Sequence, residues 1–233
     1  MPIFRLEEDE IFFPPPFLAD PSGIIAVGGD LQPERLLLAY KMGIFPWYSP
    51  EDPPVWWCPD PRCVVFPEKV NISKSMRQVL RSRKFRVTFN RDFLGVMEGC
   101  RDVFRPGQHA TWITDEFIAS YHELHERGYV HSVEVWEEEE LVGGLYGMVL
   151  GKCFFGESMF ARVSNASKTG FIMMMRNLEK HNFAVVDCQI RTPHLVSLGA
   201  EMIPRSRFLE LLRKNTSNEP NTEVNSFSDD FDF

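Results

Sequence analysis

Two stretches set polar, titratable side chains where a buried strand is expected. In "FFGESMF", residues 154–160, Glu157 stands between Gly156 and Ser158 in an otherwise apolar run. In "VVDCQIRTPH", residues 185–194, Asp187 and Gln189 lie two apart. Residues two apart on a strand share a face, so Asp187 and Gln189 are expected to project together, and Glu157, read as lying at a strand end, would meet them at the mouth of the sheet. An ionised carboxylate in a core is costly unless it reaches water, is matched by donors, or serves a site. A structural hydrogen-bonded pair and an acid–base or orienting role on a substrate are both open on this spacing. Metal chemistry is not expected. The five cysteines (Cys58, Cys63, Cys100, Cys153 and Cys188) contain no CxxC pair, and His122 and His125, at i and i+3, lack an obvious third ligand. His131 and His194 take no assignment.

Around these groups the sequence offers flexible apolar residues: Leu145, Met159, Phe171, Met173, Met174, Met175 and Leu178. Such a cluster is either core or an adaptable slot for an apolar side chain. Trp47, Trp56, Trp57 and Trp112 lie beside prolines or at element edges. Packing between lobes is the reading for Trp56 and Trp57, whereas loop-borne tryptophan can also stack on a base. The net charge of -8 hides a strong asymmetry, because residues 62–91 carry nine Lys/Arg, Arg62 among them, against the single acid Glu68. Helical spacing over 73–82 gathers Lys74, Arg77, Arg81 and Lys84 on one face and Ile72, Met76, Val79 and Leu80 on another. A face of one sign, without interleaved acids, suits phosphate contact.

The elements that must position these groups fall into three regions. Residues 1–62 hold twelve prolines around one helical stretch, "PERLLLAYKMG", and read as a small loop-rich lobe. Residues 63–213 read as helices near 73–82, 92–100, 115–128, 167–181 and 206–213 and strands at 85–90, "VHSVEVW", "LVGGLYGMVL", "KCFFGESMF" and "FAVVDCQI". That order predicts a mixed α/β or α+β sheet in one larger domain. The tail "NTSNEPNTEVNSFSDDFDF" has five acids and no base and is expected to be disordered. No apolar run approaches bilayer length and the N-terminus is acidic. A soluble, cytoplasmic protein with reduced thiols is expected.

Taken in order, "AVGGDL", "LLAYKMGIFPWYSP", "WWCPDPR", "TWIT", "HSVEVW", "LVGGLYG", "GESMF", "NASKT", "DCQ" and "SLGAEMIPR" resemble the leucyl/phenylalanyl-tRNA-protein transferase family over roughly residues 23–212. The resemblance implies a small N-terminal domain and a larger domain with the acyltransferase fold shared by N-acetyltransferases and peptidoglycan-building peptidyltransferases. It implies transfer of Leu or Phe from its tRNA to the N-terminal Arg or Lys of a protein, which marks that protein for degradation. By motif it assigns Glu157, Asp187 and Gln189 to the reaction centre, and Trp47, Trp112 and Phe154 to the surroundings of the terminal adenosine. Leu145, Met159, Phe171, Met174, Leu178 and Val186 would form the amino-acid pocket, with Ser158 beside it. The basic helix, Lys74, Arg77, Arg81, Arg83 and Lys84, aligns with the contact to the tRNA stem. Thr192 stands where the family pattern has Asn, so the contact of that amide is made differently or lost.

The chemistry needs no cofactor. Aminolysis of an ester is downhill, and an α-amine with an ordinary pKa of about 7.7 to 8.0 is appreciably neutral near pH 7. Positioning dominates on this reading, with Asp187 attracting the amine and accepting its proton directly or through Gln189, and Glu157 orienting the ester. The adaptable pocket predicts Met as a weaker third donor. Two other classes share features: a coenzyme A-dependent acetyltransferase, for which no R/Q-x-x-G-x-G/A pyrophosphate loop is present, and a non-catalytic tRNA-binding module, which has little use for three convergent polar groups. A monomer is expected.

Overall fold

A computed structural model describes residues 3–103, 111–231 and 233. In chain order its elements are β1 (Phe4–Leu6), β2 (Ile24–Gly28), α1 (Pro33–Lys41), β3 (Phe45–Pro46), β4 (Val55–Trp57), β5 (Arg62–Val65), α2 (Lys74–Arg81), β6 (Arg86–Phe89), α3 (Phe93–Asp102), α4 (Asp115–Glu126), β7 (Val130–Glu137), β8 (Glu140–Leu150), β9 (Cys153–Ala161), α5 (Ala166–Lys180), β10 (Val185–Gln189), α6 (Pro193–Ser197), β11 (Glu201–Ile203) and α7 (Arg205–Asn215). The strands form a four-stranded sheet, β1-β2-β4-β3, and a seven-stranded sheet, β11-β5-β10-β9-β8-β7-β6. Within the larger sheet only β9 and β10 run parallel among the described pairs. The class is mixed α and β.

The N-terminal region is more ordered than its prolines suggest. Its short strands pair across the chain, with Trp56 fully buried and donating through Nε1 to the Gly28 carbonyl at 2.9 Å. The buried Arg35 pins the N-terminal segment by donating to Asp30 and to the carbonyls of Glu7, Glu8 and Glu10. The apolar core runs unbroken from Ile25, Tyr40 and Trp56 of this region to Phe155, Val185 and Phe208 of the larger one.

Helix ends follow local chemistry. Ser73 caps α2 and Thr114 caps α4, each side chain accepting a backbone N–H of the first turn. On α2, Met76 and Leu80 are buried while Lys74, Arg77, Arg81, Arg83 and Lys84 are exposed on it or just beyond it. Arg62 does not belong to that surface. It is fully buried on β5, so the expected basic stretch begins at Lys69.

The tail also departs from expectation. Residues 222–226 form a 3-10 turn with Val224 buried, and Phe227 packs edge-on against Phe89 at 5.5 Å. Asn177, fully buried on the apolar α5, exchanges two hydrogen bonds with Ser228, donating to its carbonyl at 2.8 Å and accepting its N–H at 3.0 Å. A buried amide must be satisfied, and the tail supplies the partner. Val224, Phe227, Phe231 and Phe233 are irregularly spaced, so no helical or strand period marks the tail as packed.

Candidate active site

β9 and β10 pair through Asp187 and Phe155 and then part. Both strands are irregular at that point. The β8–β9 register runs Gly147 to Gly156 and then Tyr146 to Ser158, leaving Glu157 as the extra residue of a bulge. On β10 the pairing with β5 runs Asp187 to Val64 and then Gln189 to Cys63, leaving Cys188 extra. Bulges re-aim side chains. Glu157 is therefore in the middle of β9 and not at its end. The second bulge also breaks the alternation that would have put Asp187 and Gln189 on one face. Gln189 adopts a left-handed φ of 59° and turns to the opening, while Asp187 turns away from it. Opposite the first bulge only glycine fits, since a Cβ on Gly147 would lie 2.3 Å from the Phe155 carbonyl oxygen and 2.6 Å from the Phe154 ring.

The parting of the strands opens a cavity of about 270 Å³. It brings together twelve of the residues singled out from sequence: Trp47, Trp112, Leu145, Phe154, Glu157, Ser158, Met159, Phe171, Met174, Val186, Gln189 and Thr192. Two others are absent from its wall. Leu178 is fully buried in the core on α5, and Asp187 is fully buried behind Gln189. Trp47 is held at the mouth by Trp57, whose Nε1 donates to the Trp47 carbonyl at 2.6 Å. Thr192 caps α6, its Oγ1 accepting the Leu195 N–H at 3.2 Å, a duty that Asn serves equally well. His122 and His125 stack on Phe93, and no group of three His, Cys, Asp or Glu able to hold a metal occurs among the described residues.

The two carboxylates sit in opposite environments. Asp187 receives a two-pronged bond from Arg62, Nε to Oδ1 at 2.7 Å and Nη2 to Oδ2 at 2.6 Å, and Oδ1 also accepts the Gln189 N–H at 2.9 Å. The guanidinium lies between the rings of Phe45 and Phe208, 4.7 Å from each centroid. Glu157 takes neutral donors instead. Its Oε1 accepts from the Tyr40 hydroxyl at 2.6 Å and from Gln189 Nε2 at 3.2 Å, and Tyr40 in turn bonds Tyr121 at 2.6 Å. Loss of hydration dominates there and pushes the Glu157 carboxyl up to about 8, against the opposing pull of the Tyr40 hydrogen bond. Burial, and next the Glu157 charge, push both phenols well above their ordinary value. They stay protonated donors.

Sequence reasoning missed Arg62, Tyr40 and Tyr121 as parts of this centre. Tyr40 and Tyr121 sit on α1 and α4, where each reads as an ordinary buried aromatic of an amphipathic helix, and Arg62 was counted with the surface cations. The one available signal was Arg62's place in "WWCPDPR", a charge at the start of an apolar strand.

This mixed α/β protein has an apolar slot that ends at a desolvated carboxylate and an amide, an arrangement able to seat a small apolar group beside a group that can exchange a proton. The family model described as leucyl/phenylalanyl-tRNA protein transferase matches residues 64–213, and that of its N-terminal domain matches residues 29–60. Proteins named leucyl/phenylalanyl-tRNA--protein transferase are 54% identical in Syntrophus aciditrophicus, covering 92% of this chain and 90% of that one, and 52% identical in Flavobacterium johnsoniae, covering 88% and 96%. The chain belongs to the leucyl/phenylalanyl-tRNA protein transferase family. Among solved structures, a GCN5-related N-acetyltransferase from Kribbella flavida aligns at a TM-score of 0.39 and 8% identity over 72% of this chain and 59% of that one, a likeness too slight to carry an argument.

Proposed function

We propose that this chain moves Leu or Phe, and Met more weakly, from aminoacyl-tRNA to the N-terminal Arg or Lys of an acceptor protein, forming a peptide bond that marks the acceptor for degradation. The observation that carries the reading is the continuity of one cavity from the apolar slot of Leu145, Met159, Phe171 and Met174 to Glu157 and Gln189. The donor side chain enters the slot, which places its ester carbonyl at the carboxylate. Trp47 and Trp112 at the mouth stack on the terminal adenosine.

The chemical roles follow the environments, and they exchange two assignments made from sequence. Glu157, with a pKa near that of the attacking amine, takes the proton as the C–N bond forms and returns it to the ribose oxygen as the C–O bond breaks. A base matched to its acid is the favourable case for such transfer. Asp187 is unsuited to that work, because taking a proton would surrender its bond to Arg62. It fixes the backbone of Gln189, and Gln189 holds Glu157.

The exposed cations Lys74, Arg77 and Arg83 have no acidic partner among the described residues, whereas Lys84 pairs with Glu137 and Arg81 donates to the Phe233 carbonyl. The former three are the readiest phosphate contacts. α2 packs on α5, the helix whose Phe171 and Met174 line the slot, so a tRNA held at α2 lies against the wall of the site. No helix among the described residues is long and apolar enough to cross a membrane. The chain acts in the cytoplasm as a monomer. Labelled Phe-tRNA with an Arg-starting peptide is the direct test: transfer is expected, and tRNA binding without transfer, or transfer only from acetyl-coenzyme A, would refute the reading.

A further inference from the structure

His194 lines the same cavity from α6, and its Nε2 is buried with no hydrogen-bond partner among the described residues. An unmet buried nitrogen is costly, yet the backbone that carries the ring is fixed. Thr192 caps the helix it stands on, and Ser197 Oγ donates to the His194 carbonyl at 2.6 Å. Burial first, and the Lys168 charge next, hold the imidazole below its usual pKa, so the ring is neutral near pH 7 and can accept a hydrogen bond. His194 lines the cavity together with its neighbours Ile190, Thr192 and Leu195, and Phe171 and Met174 of the slot line the same cavity from α5.

The donor's tetrahedral Cα fixes what comes to that part of the cavity. Its side chain fills the slot and its carbonyl meets Glu157, so its amine is left to point at the remaining wall. We propose that His194 Nε2 accepts a hydrogen bond from the α-amino group of the aminoacyl ester, making a free α-amine a requirement of the donor alongside the apolar side chain. This rests on the transferase reading above. It assigns the chain a second recognition element, chemically distinct from the slot: the slot selects by shape, and the imidazole selects for an N–H donor.

The test compares binding of Phe-tRNA with that of phenylpropionyl-tRNA, which lacks only the amine and adds no bulk. The wild-type chain is expected to bind Phe-tRNA about tenfold or more tightly, the scale of a hydrogen bond to a charged group. His194→Ala should bring the two affinities within about twofold by weakening Phe-tRNA alone, and His194→Gln, whose amide oxygen reaches a similar place, should restore part of the ratio. An unchanged ratio in His194→Ala, or no preference in the wild type, would overturn the proposal. The ratio is read by binding. It therefore stands apart from transfer to the Arg-starting peptide, whose failure in the wild type would count against the transferase reading and not against His194.

Discussion

Glu157 and Asp187 stand on neighbouring strands, the first the extra residue of one bulge and the second next to another, and Gln189 touches both. Their surroundings nevertheless differ in kind. Asp187 meets a guanidinium clamped between two aromatic rings and a backbone N–H, so its oxygens are matched by a fixed cation and a fixed amide donor. Glu157 meets two neutral hydroxyls in a row and an amide at the edge of an apolar cavity. Loss of hydration among neutral donors raises a carboxyl's pKa, as at Glu157, whereas a bonded cation compensates a buried carboxylate, as Arg62 does at Asp187. Proximity to a site is thus a poor guide to environment; the nearest donors and the loss of water decide it.

The comparison is broken most severely by removing one member of the buried ion pair. Asp187→Asn or Arg62→Met should cost about 3 to 5 kcal/mol in urea unfolding, because the survivor is left as an uncompensated buried charge, while the double change Arg62→Met/Asp187→Leu should recover much of that loss. Glu157→Gln should not destabilise the fold near pH 7. With its carboxyl raised to about 8, Glu157 keeps its proton in the folded chain while the unfolded chain loses one from about pH 4.5 upward, so stability falls across that window and the Gln variant should flatten the fall. Equal losses from both carboxylates would erase the distinction between them.

Activity should show the reverse order. Glu157→Gln is expected to slow single-turnover transfer by about 10²- to 10⁴-fold with a smaller effect on aminoacyl-tRNA binding. The wild-type rate should climb as pH rises through about 8, and the variant should retain only the titration of the acceptor amine. If folded Asp187→Asn loses more rate than Glu157→Gln, the proton is handled by the other carboxylate.

The smallest effect is expected at Tyr40. Replacing it with Phe removes a donor that opposes the upward shift of Glu157, so the midpoint of the pH–rate profile should move to higher pH and the rate at pH 7 should fall several-fold. A midpoint that moves to lower pH would mean that the hydroxyl does not stabilise the ionised form.

Much of this was legible beforehand. Apolar runs marked β7, β8 and β9, and the two-faced helical spacing of residues 72–84 marked α2, because burial leaves a pattern in the chain. Most of the cavity's lining was named from motifs for the same reason, each motif being a local sequence. Orientation was not legible. Alternation predicts that Asp187 and Gln189 face together, and a single extra residue, Cys188, reverses that. Nor was the packing of the tail, where a buried Asn177 on an apolar helix was the clue that something outside the helix had to meet it.

By itself, then, the sequence determined the class of fold, the family, the basic face of α2 and the residue types gathered for chemistry, since each is written in periodicity, local charge or contiguous motif. Only the tertiary structure decided that Asp187 meets a buried guanidinium and Glu157 a neutral hydroxyl. Arg62 and Asp187 are 125 positions apart, as Tyr40 and Glu157 are 117 apart, and the energy of a charge depends on the donors and the water around it, which no neighbour in the chain specifies.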